Sequence, residues 1–169
     1  MPAKSSAVSE ERLATPDDAE SMIRVHRRAV RSTAASVYPA VVLEEWAPLP
    51  VEEAEIAALA RRIRVGEEVA VIVCAAAGEV LGFGSIAPGK GELRAVYVDP
   101  DHGGRGVGAS IVRWLEGLAR DLGETELSLD ASQNAESFYA RHGYIVTGRG
   151  WHVLRSGREM ACVHMRKRL

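Results

Sequence analysis

Four glycines fall within six residues, at 103, 104, 106 and 108, close behind an apolar run that ends in Asp99-Pro100. The whole stretch, residues 93–109, reads LRAVYVDPDHGGRGVGA. β-branched residues up to Val98 predict a strand, and the apolar periodicity of residues 110–122 predicts a helix. A tight glycine loop joins them. The start of a helix presents unpaired N–H groups and a partial positive charge, and glycines let a ligand come close to the backbone. The unit is therefore built to receive an anion such as a phosphate or pyrophosphate.

Two familiar phosphate loops can be weighed against it. A P-loop needs Lys followed by Ser or Thr after its last glycine, and here Gly108 is followed by Ala109-Ser110. A dinucleotide fingerprint is met in letters by Gly104-x-Gly106-x-x-Ala109, with Glu124 and Glu126 about twenty residues on. That fingerprint should open at the strand end, yet residues 99–103 intervene, and the doubly wound fold needs more parallel strands than follow.

The rest of the chain predicts an α+β layout. Residues 12–14 read as a short strand, and Thr15-Pro16-Asp17-Asp18 as a helix start, with the helix fraying near 32–36 and broken by Tyr38-Pro39. A second helical region spans 41–65, interrupted by Pro48 and Pro50 and ended by Gly66. Residues 69–76, 80–87 and 92–98 form successive strands around the turns at Gly78-Glu79 and 88–91. After the glycine loop and its helix come a strand at 126–129, a short helix at 135–142 closed by Gly143, and a hairpin of 144–154 with 159–168. Residues 1–9 are small and polar, and a disordered tail is expected there, followed by one domain over 10–169.

A net charge of −2 provides no general attraction for nucleic acid or membrane. No apolar run is long enough to span a bilayer, and no secretory leader pattern is present, so a cytoplasmic protein is expected. Cys74 and Cys162 sit far apart in apolar runs and are expected as buried, reduced thiols. The histidines at 26, 102, 142, 152 and 164 show no metal-ligand spacing.

Val96-x-Val98-Asp99-Pro100, then Gly103-x-Arg105-Gly106-Val107-Gly108, then an apolar helix, resembles the coenzyme A motif of the GNAT superfamily of N-acetyltransferases. Residues 137–144, SFYARHGY, are similar to that family's Phe-Tyr-x-x-x-Gly-aromatic block. Residues 13–19 resemble its opening, and 163–167 its last strand. The resemblance implies a central mixed, mostly antiparallel sheet flanked by helices, with a splayed strand pair holding acetyl-CoA. It also implies transfer of an acetyl group to a primary amine, on a small molecule or a peptide, by direct attack in a ternary complex. A non-catalytic acyl-CoA sensor would share the loop, and a homodimer is left open.

Residue by residue, the resemblance assigns the pyrophosphate to backbone N–H groups of Gly103, Gly104, Arg105, Gly106, Val107, Gly108 and Ala109, with Gly106 and Gly108 in the tightest positions. Gly103 stands where the family often has Gln or Arg, so side-chain help falls to Arg105 or His102. The pantetheine arm is expected along Val96, Tyr97 and Val98, with the N–H of Val96 or Tyr97 as oxyanion donor. Tyr139 takes the place of the general acid, against a packing role on its helix. Glu92 is the expected base, against a solvated strand-end carboxylate beside Lys90. Asp130 is an alternative, His26, His102, His142 and His152 are unranked, and a relay of waters with no dedicated base is left open. Ser132 occupies the position of a cofactor-binding Asn, and Asn134 lies nearby, where an N-cap role competes. Tyr38, Trp46, Trp151 and His152 are the candidates for the acceptor pocket, with Glu44-Glu45 hinting at a cationic acceptor.

Overall fold

A computed structural model describes residues 8–169, with side chains from residue 10 onward. Most of the tail expected at 1–9 lies outside the described residues, while Val8 and Ser9 belong to the first strand. The strands are β1 (Val8–Leu13), β2 (Val69–Ala75), β3 (Val80–Ala87), β4 (Glu92–Val98), β5 (Glu126–Ser132), β6 (Ile145–Val153) and β7 (Glu159–Arg168). The helices are α1 (Ala19–Thr33), α2 (Ala40–Trp46), α3 (Glu53–Arg64), α4 (Val107–Asp121) and α5 (Glu136–Arg141). One mixed sheet runs in the order β1-β2-β3-β4-β5-β7-β6. Every neighbouring pair is antiparallel except β4 with β5. The doubly wound alternative is thereby overturned, because a single βαβ crossover sits among antiparallel hairpins.

Helices cover both faces. Helix α4 packs on Val71, Val73, Leu127, Leu129 and Val163 through Ile111, Val112 and Leu115. On the other face, Met22, Ile23 and Val25 of α1 and Leu59 of α3 cover Ala70, Ile72 and Phe83. A smaller cluster joins Tyr38 and Val42 to Leu154 and Met160 of the final hairpin.

The depth of α4 is set by two glycines of β3. A Cβ on Gly82 would lie 2.9 Å from Val107 Cγ1, and one on Gly84 2.5 Å from Ile111 Cγ2 and 2.8 Å from the Ala95 carbonyl oxygen. The helix therefore rests on bare strand backbone, which brings its N-terminus down to the end of β4. Helix α1 holds the same loop from the other side. Arg28 pairs with Asp99 and, at 2.9 Å, with Asp101, while Asp99 accepts the Asp101 N–H.

Candidate active site

The site begins with a defect in the sheet. Arg94 is an extra residue on β4, because Ile86 of β3 pairs with Leu93 while its neighbour Ser85 pairs with Ala95. A bulge bends its strand and strengthens the local twist. Among the described residues, β4 and β5 share one register pair, Glu92 with Ser128, anchored by the Ser128 N–H on the Gly91 carbonyl at 2.8 Å. Beyond it the two strands part.

Backbone alternation then decides which groups face the gap. The Asp99 N–H bonds the Leu81 carbonyl at 2.8 Å. In an antiparallel ladder hydrogen-bonded pairs alternate, so residues 97 and 95, paired with Phe83 and Ser85, also spend their polar groups on β3. The N–H groups of Val96 and Val98 are left facing the seam. Of the two oxyanion donors expected from the sequence, the register favours Val96, because the Tyr97 N–H belongs to the β3 ladder.

A cavity of about 100 Å³ occupies the seam. Residues 93–97 form one wall and residues 129–132 the other, including Asp130 and Ser132. It passes through the sheet. Tyr139 enters from the α4 face, where it packs with the core, whereas Trp46, His152, Met160 and Cys162 line the opposite mouth. Ser132 is thus on the cavity, while Asn134 is exposed in the following 3-10 turn and makes no side-chain cap.

Tyr139 is 7% exposed, its ring held edge-on by Phe138 and Tyr144. Burial pushes its phenol well above the ordinary tyrosine range. The group therefore keeps its proton at physiological pH and can act as a donor, not as a base. Tyr97, also beside the cavity, is pushed up by burial to about 12.

The glycine loop stands at the end of β4. Gly106 is the N-cap of α4 at φ 82°, with no side-chain cap, and Gly104 also takes a positive φ of 72°. A Cβ on either would meet nothing within 4 Å, so the space above the loop is open. Gly108 differs from expectation. Its φ is ordinary, and the position is tight for another reason: a Cβ would lie 3.1 Å from the Phe138 ring, which would have to shift by a few tenths of an ångström. That contact ties the loop to α5 and hence to Tyr139. His102 turns away from the loop, with Nδ1 3.5 Å from Asp99, leaving exposed Arg105 as the side chain placed to reach an anion.

On the other face, a cavity of about 590 Å³ lies between the α2–α3 connection and the β6–β7 turn. Glu44, Glu45, Glu52 and Glu55 line it, with Arg27 and Arg155. Trp46 and His152 border both this cavity and the seam. Two expectations are corrected. Tyr38 is buried, its hydroxyl donating to the Ala161 carbonyl (2.6 Å) and accepting from the Gln133 N–H (2.8 Å), so it clamps β7 to the turn after β5. Trp151 is 63% exposed on the face of β6 away from His152 and borders neither cavity.

Glu92 sits where β4 and β5 still pair, 3.6 Å from Arg94, and borders an adjoining cavity, not the seam. The five histidines, all described, separate clearly. His26 accepts from Arg27 Nη1 at 2.9 Å, and His142 Nδ1 lies 2.8 Å from the Phe138 carbonyl. His164 was not a candidate from the sequence. Strand register sets it opposite Asp130, Nδ1 to Oδ1 at 2.7 Å, with Cys162 Sγ 4.0 Å away. This cluster of Asp130, Cys162 and His164 is invisible in linear spacing. Its 2.7 Å contact is a hydrogen-bond length, shorter than the roughly 3.3 Å between two ligands on a tetrahedral zinc.

Burial first, and the charge of Arg27 second, push His26 from 6.5 down to about 3. The unfolded chain binds a proton there below pH 6.5 and the folded chain does not, so this contribution to stability is intact above 6.5 and is lost as pH falls towards 3. His26→Gln is expected to flatten the pH dependence of unfolding free energy between pH 6 and 4 by up to about 1.4 kcal/mol per unit. Parallel urea-denaturation curves for the two proteins across that range would contradict this.

Comparison with known proteins agrees with this architecture. Residues 35–169 match the model of the acetyltransferase (GNAT) domain. A GCN5-related N-acetyltransferase from Rhodopseudomonas palustris is 29% identical, with a TM-score of 0.83 over 96% of this chain and 97% of that one. PaiA N-acetyltransferase from Thermoplasma acidophilum, solved with coenzyme A, shares the fold at 17% identity and a TM-score of 0.71, over 95% of this chain and 100% of that one. A phosphinothricin acetyltransferase from Sinorhizobium meliloti, solved with acetyl-CoA, does so at 19% and 0.72, over 96% and 89%. A search of curated proteins found no match. No helix among the described residues is long and apolar enough to cross a membrane. A family model covering most of the sequence, on a sheet split beside a glycine-capped helix, leads to one conclusion: the chain belongs to the GNAT acetyltransferase family.

Proposed function

We propose that this protein transfers an acetyl group from acetyl-CoA to a primary amine by direct attack within a ternary complex. The observation that carries the reading is the cavity through the seam, with a buried phenol on one face and an acceptor-sized cavity adjoining the other. Acetyl-CoA is supported by the open backbone at Gly104 and Gly106 and by the relatives solved with coenzyme A or acetyl-CoA. The first-turn N–H groups of α4, with Arg105, would hold its pyrophosphate, and Val96 and Val98 would pair with the pantetheine arm. When bound, it supplies an activated acetyl thioester.

The remaining chemistry belongs to the chain. The Val96 N–H donates to the thioester oxygen as negative charge grows there. Tyr139, a protonated phenol on the cavity, gives a proton to the departing sulfur. Cys162 borders the same cavity, but burial and the nearby Asp130 push its thiol upward, so it remains protonated and a poor nucleophile. His164 faces it through the nitrogen already bonded to Asp130. Both points support direct attack over a covalent acetyl-enzyme. Around the 590 Å³ cavity Glu55 is held by Arg27 and Arg155 and Glu45 by Arg158, so Glu44 and Glu52 are the carboxylates that would favour a cationic amine on a small molecule or a peptide.

Tyr139→Phe is expected to lower kcat about 10–100-fold while coenzyme A affinity stays within threefold. Thiol release across a panel of primary amines, together with calorimetry, measures both. Coenzyme A binding without turnover on any amine would instead identify a sensor module.

A further inference from the structure

We propose that His152 is the group that takes the proton from the attacking amine, held for that task by Asp130. The inference rests on the acetyltransferase reading above. An alkylammonium must lose a proton before it can attack, and the group that takes it has to reach the point where acceptor and thioester meet. Of the five histidines, His152 alone borders the seam cavity, and it borders the 590 Å³ cavity as well.

The sheet register builds its support. Asp130 of β5 lies opposite His164 of β7, and His152 reaches the same carboxylate from β6, its Nδ1 3.5 Å from Oδ2. The contact is longer than a hydrogen bond, yet the negative carboxylate still favours hydrogen on the ring nitrogen nearest it, Nδ1, which leaves Nε2 as the proton acceptor. Asp130 is fixed in turn by His164 at 2.7 Å. His164 is a positioning residue: its Nδ1 is taken up by Asp130, its ring lies over bare strand, where a Cβ on Gly150 would fall 2.6 Å from its Nε2, and it does not border the seam cavity. Lys90 of the β3–β4 turn, Glu92 and Arg94 of β4 and Arg166 of β7 line the cavity shared with this cluster, and Arg155 with Arg27 and the four glutamates of the 590 Å³ cavity lies on the other side of His152. Glu92 is partnered by Arg94 and separated from the seam cavity. His152 also lies on the face opposite Tyr139. One proton leaves the amine nitrogen for Nε2 on one side of the sheet, and another passes from the phenol to the sulfur on the other.

The test compares two nucleophiles: the best primary alkylamine of the panel, protonated at neutral pH, and hydroxylamine, which is not. His152→Gln should lower kcat/KM for the alkylamine at least 100-fold, and that loss should exceed the loss on hydroxylamine by at least tenfold. Asp130→Asn should show the same split with a smaller amplitude. Equal losses on both nucleophiles, or the split appearing in Glu92→Gln and not in His152→Gln, would overturn the proposal. A wild-type protein that binds coenzyme A and acetylates neither nucleophile would remove the acetyltransferase reading itself, and this inference with it.

Discussion

Gly106→Val is expected to reduce coenzyme A affinity at least 100-fold. At φ 82° the residue occupies a region that β-branched side chains rarely enter. Valine therefore pulls the backbone away from the geometry that aims the first N–H groups of α4 outward, or stays and covers them. A Cβ there meets no protein atom within 4 Å, so the cost to the unliganded fold is that of backbone strain alone, about 1–3 kcal/mol. The variant should remain folded and fail to bind. Calorimetry with coenzyme A and a urea titration distinguish the two effects. An affinity within threefold of wild type would mean that the loop does not hold the pyrophosphate.

Gly84→Val should act in the opposite sense, on folding before binding. Its φ is ordinary, and the obstacle is space: the added carbons would meet Ile111, Leu115 and the Ala95 carbonyl at 2.5–2.8 Å. The Ala95 carbonyl is sheet backbone and cannot rotate aside, so the β3–β4 pairing must distort, and Ile111 and Leu115 must give way on the α4 side. Overpacking in a closed core typically costs 1–3 kcal/mol, and an immovable neighbour places this case at about 3 kcal/mol or more. The expected result is a large fall in the urea midpoint with little change in slope. A loss below about 1 kcal/mol would show that the helix does not rest on the strand as described.

Much of this was legible in the sequence, and the exceptions share a cause. Strand β2 was readable from a continuous apolar run, and β3, β4 and β7 from the turns that set them off from their neighbours. The start of α4 was expected at 110 and lies at Val107, because two glycines flanking a valine look like loop until the helix is seen to press on Phe138. Strand β5 was expected to end at 129 and continues to Ser132. Its outward residues, Ser128, Asp130 and Ser132, are polar because they face the side that α1–α3 do not fully cover. Which face a residue joins is the information a linear reading lacks. Tyr38 and Trp151 were aromatic candidates in the right segments, and one proved to be a buried clamp and the other an exposed ring. His164 was hidden in an apolar run, and only the pairing of β5 with β7 sets it against Asp130. The nucleotide loop was readable because it is local; the acceptor side is assembled from segments more than a hundred residues apart.

The single register pair joining β4 to β5 has a bearing on how such a protein changes over evolutionary time. Zipping the two strands together would satisfy more backbone groups and lengthen a continuous ladder. Selection for thermal stability alone would therefore favour closing the gap that the proposed mechanism uses. The extra residue at Arg94 acts as a wedge against that outcome. Robustness and catalysis are here in direct opposition at one position of one strand, and the chain keeps a permanently unfinished sheet as the condition of having an active site at all.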